Sequence, residues 1–261
     1  MFFENQQRVV NYPRYRRKGN FKIPNNRKFF NIQRNFFLYK RIFDIVFSSL
    51  VILMFLSWMI PLISLAILLT SRGPVFFVQR RIGFLNKSFY CYKFRTMKVN
   101  QLSDTLAATE NDSRITLVGK FLRRSNLDEI PQFLNVFLGH MSIVGPRPHM
   151  LSDCSKFSKV IEGYKFRNLM KPGITGLAQV KGFRGPAETF DQIFHRYQYD
   201  AFYVRNANFW LDIRIVRQTA AQTVFYILGK LVGKEDFHDD VRRMKIYRKI
   251  TFTFKQLLSR A

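Results

Sequence analysis

The sequence predicts a mixed α/β (α+β) domain held at a membrane by an N-terminal helix that enters and turns back, with amphipathic helices on its surface. Three observations predict this. No charged residue occurs from Ile45 to Ser71. Two β-rich runs, "GPVFFVQRRIG" and "KSFYCYKFRTM", follow it, each bounded by turn-forming residues. The remainder reads as helices joined by short turns that carry Gly and Pro. With 261 residues, 47% of them hydrophobic and 16% aromatic, the chain has enough apolar surface to bury a core. Its formal net charge of +26 calls for polyanionic surroundings, whether nucleic acid, anionic lipid or a phosphorylated substrate.

Residues 1–38 form a basic arm in which aromatic residues alternate with cations. Such an arm suits stacking on single-stranded nucleic acid. Beside an apolar run it reads more economically as a lipid-surface anchor. Residues 39–72 hold the apolar segment. As a helix its 27 uncharged residues would reach about 40 Å, more than the roughly 30 Å of bilayer hydrocarbon. The long basic stretch ahead of it argues against a secretory leader. Eleven Lys and Arg residues lie between Arg8 and Arg41, and Arg72, Arg80 and Arg81 follow the run. Both flanks therefore favour the same, cytoplasmic side, which a helix that turns back satisfies better than a spanning one, with an ordinary kinked spanning helix as the alternative. Pro61 removes a backbone donor near the middle, and the Ser57 hydroxyl, one turn earlier, is expected to compensate the freed carbonyl region.

The main domain is expected over 73–230. The two β-rich runs predict a hairpin. "RITLVGKFLRRSNLDEIPQFLNVFLG" predicts a helix, a break near Ser125 and Asn126, and a second helix from about Leu127, with Asn126 as its N-cap. "HMSIVGPRPHM" is strand-like and ends in a stiff Pro-Arg-Pro; "MKPGITGLAQVKGFRG" is a Gly-rich loop; a long helical stretch follows. Residues 231–261 alternate cations with apolar residues and suit either a second membrane-surface element or a solvated basic tail. Cys91 and Cys154 show no CxxC spacing and read as reduced core thiols, and His140, His149, His195 and His238 show no zinc-site spacing.

Only 17 acidic residues face 43 basic ones, so the adjacent Asp128 and Glu129 stand out. On a helix such neighbours point about 100° apart, which favours two unlike roles over a shared proton. An Asp can attack phosphorus and form an acyl phosphate. A neighbouring carboxylate can hold Mg²⁺, which takes one or two protein oxygens and the rest from phosphate and water. The plainer alternative is an acid-rich first turn of a helix. The surrounding cations favour phosphoryl chemistry: Arg123 and Arg124 precede the pair, Lys93 and Arg95 bracket Phe94, and Arg147 sits between Pro146 and Pro148. No GxGxxG or GxxxxGK[ST] motif occurs, which removes nucleotide-binding loops of those kinds.

The segments "KRIFDIV", "GPVFFVQRRIG", "YKFRTM", "DSRITLVGKFLRRSNLDEIPQFLNVFLGHMSIVGPRP", "KPGITGLAQVKGFRG" and "FWLDIRIVRQT" occur in this order from about Lys40 to Thr219. In that order they resemble the bacterial sugar transferases, the monotopic phosphoglycosyl transferases. The resemblance implies a re-entrant membrane helix at the bacterial inner membrane, with the catalytic domain on the cytoplasmic face. It implies transfer of a sugar 1-phosphate from a UDP-sugar to undecaprenyl phosphate, at the start of an exopolysaccharide, capsule or other surface glycan. Asp128 matches the family's nucleophile and Glu129 its metal-associated carboxylate, with Mg²⁺ as cofactor. Lys93, Arg95, Arg123 and Arg147 match basic residues of the phosphate site, with Pro146 and Pro148 supporting the last. Lys40, Arg41 and Asp44 match the motif at the membrane boundary. Relatives often break the helix with an adjacent Ser-Pro pair, whereas Ser57 and Pro61 stand four apart. The "GFRG…ET" stretch is similar to members that use glucose 1-phosphate. The partners implied are undecaprenyl phosphate, a UDP-sugar and inner-membrane lipid, with no nucleic acid and with a homodimer left open. A membrane-tethered basic protein that binds lipid or nucleic acid without catalysis is the alternative.

Overall fold

A computed structural model describes residues 34–99, 112–183 and 189–231. The chain divides into two compact units, one running to Asp212 and the other beginning at Ile213. The expected basic tail and most of the basic arm lie outside the described residues, as do residues 184–188 within the "GFRG…ET" stretch.

Helix α1 (Arg34–Val51) begins five residues earlier than the expected boundary at 39, because the periodic run "RNFFLYKRIFD" continues the apolar segment's helix outward. A π-helical turn, Ile52–Leu56, leads directly into α2 (Ser57–Thr70). Together they form one helical run, Arg34–Thr70, irregular at the π-turn, and by length and composition apolar enough to cross a membrane. The structure moves the expected break. The helix runs on through Pro61, and the irregular turn lies before it. Proline at 61 cannot donate to the Ser57 carbonyl and crowds it, and a wider i→i−5 turn upstream absorbs the strain. There the Ser57 amide donates to the Ile52 carbonyl, and its hydroxyl donates to the Leu53 carbonyl at 2.8 Å. That hydroxyl thus serves the π-turn and not the carbonyl that Pro61 leaves free.

The hairpin forms as expected. Strands β1 (Phe76–Ile82) and β2 (Ser88–Phe94) pair antiparallel along their whole length, from Phe76 opposite Phe94 to Ile82 opposite Ser88. The short β4 (His149–Met150) adds to the other edge of β1. Helix α3 (Leu117–Ser125) starts at Thr116, whose hydroxyl accepts from the Gly119 amide at 2.9 Å. It ends at Asn126 in the left-handed region (φ 56°), where the Asn126 amide donates to Leu122 and Arg123 carbonyls. Asn126 is therefore a C-terminal cap and makes no side-chain N-cap bond, since the left-handed turn aims its amide back at α3. A single 3₁₀ turn (Leu127–Glu129) and α4 (Gln132–Phe137) follow.

Strand β3 (Ser142–Val144) pairs in parallel with β5 (Gly173–Thr175). Between them lie α5 (Leu151–Val160) and a 3₁₀ segment (Tyr164–Leu169). The region read as a Gly-rich loop thus contains a strand and, after it, the short α6 (Leu177–Val180). Helix α7 (Phe190–Asn206) opens on a capping box formed by Thr189 and Gln192. Helix α8 (Phe209–Leu231) contributes its first residues, through Asp212, to the first unit.

Both arms of the long apolar helix pack on the first unit. On α2, Ile63 and Ile67 are buried with Phe94 of β2 and Leu122 of α3. On α1, the Phe47 ring lies 6.2 Å from Phe133. The Asp44 carboxylate accepts from the Ser142 hydroxyl (3.0 Å) and the Ile143 amide (2.9 Å). Lys40 pairs with Asp212 at 2.6 Å, both buried. Arg41 donates to the Val136 and Phe137 carbonyls at the end of α4. By contrast Leu53, Met54, Trp58, Leu62, Leu65 and Leu69 are exposed, an apolar surface that water would not tolerate in this density. Cys91 and Cys154 are buried free thiols, as expected.

Candidate active site

Asp128 and Glu129 occupy the 3₁₀ turn between α3 and α4. Leu122 and Leu127, on either side of the left-handed Asn126, anchor that turn in the core beside Phe94. The turn packs against β2, which brings Lys93 across to it. A second clamp holds strand and helix together. The Asn135 side chain, fully buried, donates to the Tyr90 carbonyl (2.7 Å) and accepts from the Tyr92 amide (3.0 Å). No local sequence signal marks Asn135, because both partners lie more than forty residues away.

The two carboxylates live in different surroundings. Glu129 is gripped by two cations: Lys93 Nζ donates to Oε1 at 2.6 Å, and Arg147 donates to Oε1 at 2.7 Å and Oε2 at 3.3 Å. Burial alone would raise its pKa, but Arg147 and Lys93 outweigh it and hold Glu129 well below the usual carboxylate range. Asp128 is buried, and among the described side chains none hydrogen-bonds its carboxylate. Burial pushes its pKa up to about 6, with the Glu129 charge adding to that and Lys93, Arg123 and Arg147 opposing it. The pair is one ionised, clamped acid beside one partly desolvated acid that titrates near neutrality. Such a split is what unlike chemical roles require.

Arg147 is set from three directions through the backbone of its own Pro-Arg-Pro. The Pro146 carbonyl accepts from the Gly173 amide (3.0 Å). The Arg147 carbonyl accepts from Arg167 (2.7 Å), and the Pro148 carbonyl from Arg81 (3.4 Å). Arg167 is itself fixed by a two-point contact with Asp200, at 2.9 and 2.6 Å, both side chains 2% exposed. Gly145 and Gly173 permit the close crossing of the two loops, since a β-carbon on either would collide with the other's backbone. Arg167 and Asp200 were not apparent from the sequence, being 33 residues apart and buried.

The expected phosphate-site cations do not all converge. Lys93 and Arg147 meet at Glu129. Arg123 donates to the Thr96 hydroxyl at 2.8 Å, and burial lowers its pKa while Asp128 raises it, which puts its charge within reach of that carboxylate. Arg95 is turned the other way. Its guanidinium donates to the Ser71, Arg72 and Gly73 carbonyls that follow α2, so it caps the end of the apolar helix. Strand β2 ends at Phe94, so Arg95 lies beyond the pleat and is not held to the face that Lys93 presents. Lys40, Arg41 and Asp44 are likewise engaged in fastening α1 to the domain.

Against this geometry, the family model described as bacterial sugar transferase matches residues 35–226, which covers the apolar helix, the hairpin, the Asp-Glu turn and the Pro-Arg-Pro loop. The chain belongs to the bacterial sugar transferase family. A UDP-glucose:undecaprenyl-phosphate glucose-1-phosphate transferase of Klebsiella pneumoniae is 46% identical over 180 residues, covering 69% of this chain and 38% of the relative. One of the same description from Escherichia coli (strain K12) is 47% identical over 180 residues, with 69% and 39% covered. The exopolysaccharide production protein PSS of Rhizobium leguminosarum bv. phaseoli is 43% identical over 182 residues, with 68% and 90% covered. The chain spans about two fifths of the length of the first two of these sugar transferases.

Proposed function

We propose that this chain transfers a sugar 1-phosphate from a UDP-sugar to undecaprenyl phosphate and so starts a surface glycan such as an exopolysaccharide. The observation that carries the reading is the split pair: a desolvated Asp128, its carboxylate free of hydrogen bonds from the described side chains, next to a Glu129 locked by Lys93 and Arg147. In the first step Asp128 Oδ attacks the β-phosphorus, the bond to the bridging oxygen breaks, and UMP leaves with that electron pair. In the second, an oxygen of the polyprenol phosphate attacks the same phosphorus and the carboxylate of Asp128 is restored. The product is a polyprenyl diphosphate sugar. Lys93, Arg147 and Arg123 surround the carboxylates with the positive charge that a transferring phosphoryl group needs. Glucose is the favoured sugar, because relatives of 46% and 47% identity carry it in their descriptions.

Mg²⁺ fits the donor set in one way only. Among the described residues no third Asp, Glu, His or Cys joins Asp128 and Glu129, so the ion would take one or two carboxylate oxygens here and the rest from substrate and water. Glu129 Oε2, with its single longer contact, is the oxygen best able to serve. When bound, the ion would neutralise charge on the diphosphate. The cations already around the site favour its arrival together with that diphosphate.

The apolar helix is re-entrant in this reading, with the site at the cytoplasmic face of the inner membrane. Both of its arms bury residues against the same compact unit, while residues at and around the π-turn are exposed and apolar. Arg95 fastens the returning end as Arg41 and Asp44 fasten the entering one. Positive flanks on both ends agree. Membership of a family of transferases weighs against the non-catalytic alternative. Release of UMP from UDP-glucose, measured with undecaprenyl phosphate present, tests the activity. Wild type should release UMP and Asp128→Asn should not, and equal release by both would sink the proposal.

A further inference from the structure

We infer that Arg41 and Lys171 form a site for one phosphate group of a membrane lipid headgroup, at the foot of the apolar helix. The two side chains come from elements more than a hundred residues apart and meet across Gly139, which lies in the left-handed region (φ +86°) after α4. A β-carbon at 139 would lie 3.4 Å from Arg41 Nη2 and 3.6 Å from Lys171 Nζ. The two nitrogens are therefore no more than about 7 Å apart, on either side of the same point beside Gly139. A phosphate whose oxygens each accept a charge-assisted bond of about 2.8 Å spans such a gap.

Among the described residues neither cation has an acidic group in a salt bridge with it. The other charges at the helix foot are committed elsewhere: Lys40 to Asp212, and the Asp44 carboxylate to Ser142 and the Ile143 amide. Among the described residues Lys171 makes no hydrogen bond or ion pair, and Arg41 meets only the Val136 and Phe137 carbonyls. A guanidinium carries five N–H donors, so Arg41 keeps donors for a second ligand. Burial, the Arg41 charge and the Lys40 charge press Lys171 toward its neutral form, with Asp44 opposing, and a bound anion would relieve this.

Position favours a lipid as the source of that phosphate. Arg41 adjoins Ile42, Ile45 and Val46, all exposed and apolar, with exposed Tyr39 just before it. That sequence of surfaces is the boundary at which headgroups sit and where aromatic and basic residues gather. The inference rests on insertion of the apolar helix in a bilayer and is independent of the transferase reaction.

The test uses the full chain in detergent, with native mass spectrometry during titration of dioleoyl-phosphatidylglycerol. Wild type should retain one such lipid about tenfold more tightly than Lys171→Ala, the worth of one charge-assisted hydrogen bond. Lys171→Arg should restore retention, and dioleoylglycerol, which lacks the phosphate, should not be retained. Equal retention by wild type and Lys171→Ala overturns the site. Displacement of the lipid by millimolar inorganic phosphate overturns its assignment to a headgroup. UMP release by the same samples reports the transferase reading separately, and thermal melting shows that the half-exposed Lys171→Ala variant is folded.

Discussion

The foot of the apolar helix and the Asp128–Glu129 turn are built from the same residue types and handle their charges in opposite ways. At the helix foot, Lys40 meets Asp212 at 2.6 Å, and Asp44 accepts two hydrogen bonds in full burial. Each acid there has its partners, and the result is a fastening. At the turn, Glu129 takes both neighbouring cations and leaves Asp128 buried without a bond among the described side chains. Burial raises the pKa of Asp128, a perturbation of the kind that gathers at functional sites. The difference teaches that burial and charge do not by themselves mark a candidate catalytic group; two adjacent acids whose surroundings push their pKa values apart do.

Four substitutions or conditions break or sharpen this contrast. The largest effect is expected at Asp128. Asp128→Asn should lower turnover by about a thousandfold or more, as loss of a nucleophile does. It should also stabilise the protein above pH 6. The folded-state pKa of about 6 exceeds the ordinary 3.8, so ionisation of Asp128 erodes stability as pH rises between those values. Removing the charge should return up to about 3 kcal/mol at pH 8, measured by thermal or denaturant unfolding.

Next, Lys40→Met should destabilise the fold by about 3–5 kcal/mol, because it leaves Asp212 buried with only the Tyr203 hydroxyl. Lys40→Met combined with Asp212→Leu should recover most of that loss and keep transferase activity per folded molecule. An apolar pair can replace a fastening. The same kind of replacement at Lys93 and Glu129 should leave no activity however well the variant folds.

A smaller loss is expected from Arg167→Lys, which keeps the charge but not the fork that joins Asp200 to the Arg147 carbonyl. It should reduce kcat/KM by about 10- to 100-fold through displaced Arg147, an estimate in line with mispositioning a phosphate-binding group. The smallest effect is a shift in pH dependence. The acid limb of kcat/KM in wild type should fall near pH 6, since attack requires ionised Asp128. Arg147→Gln removes a charge that lowers the Asp128 pKa, so its residual activity should show that limb at higher pH.

Much of this was legible in the sequence where the signal is local. The two β-rich runs gave the hairpin because alternation and turn residues lie within twenty positions. The adjacent acids predicted two unlike roles because neighbouring side chains on any helical turn diverge, and the structure gives Asp128 and Glu129 unlike environments. What depends on distant partners was not legible. Arg95 looked like a phosphate ligand from its place beside Lys93, yet its targets are backbone carbonyls, which carry no sequence signal. Asn135, Arg167, Asp200 and Asp212 bond across 33 to 172 residues. The π-turn before Pro61 arises from crowding at one carbonyl, which composition does not reveal.

The central claim is that Asp128, and not Glu129, forms the covalent bond to the transferred phosphosugar. Intact-mass measurement of the full chain mixed with UDP-glucose, with no lipid acceptor, tests it most directly. The account predicts added mass of one hexose phosphate in wild type, mapped to Asp128 by peptide sequencing and absent from Asp128→Asn. An adduct on Glu129, or UMP release in the presence of undecaprenyl phosphate without any adduct, would contradict it.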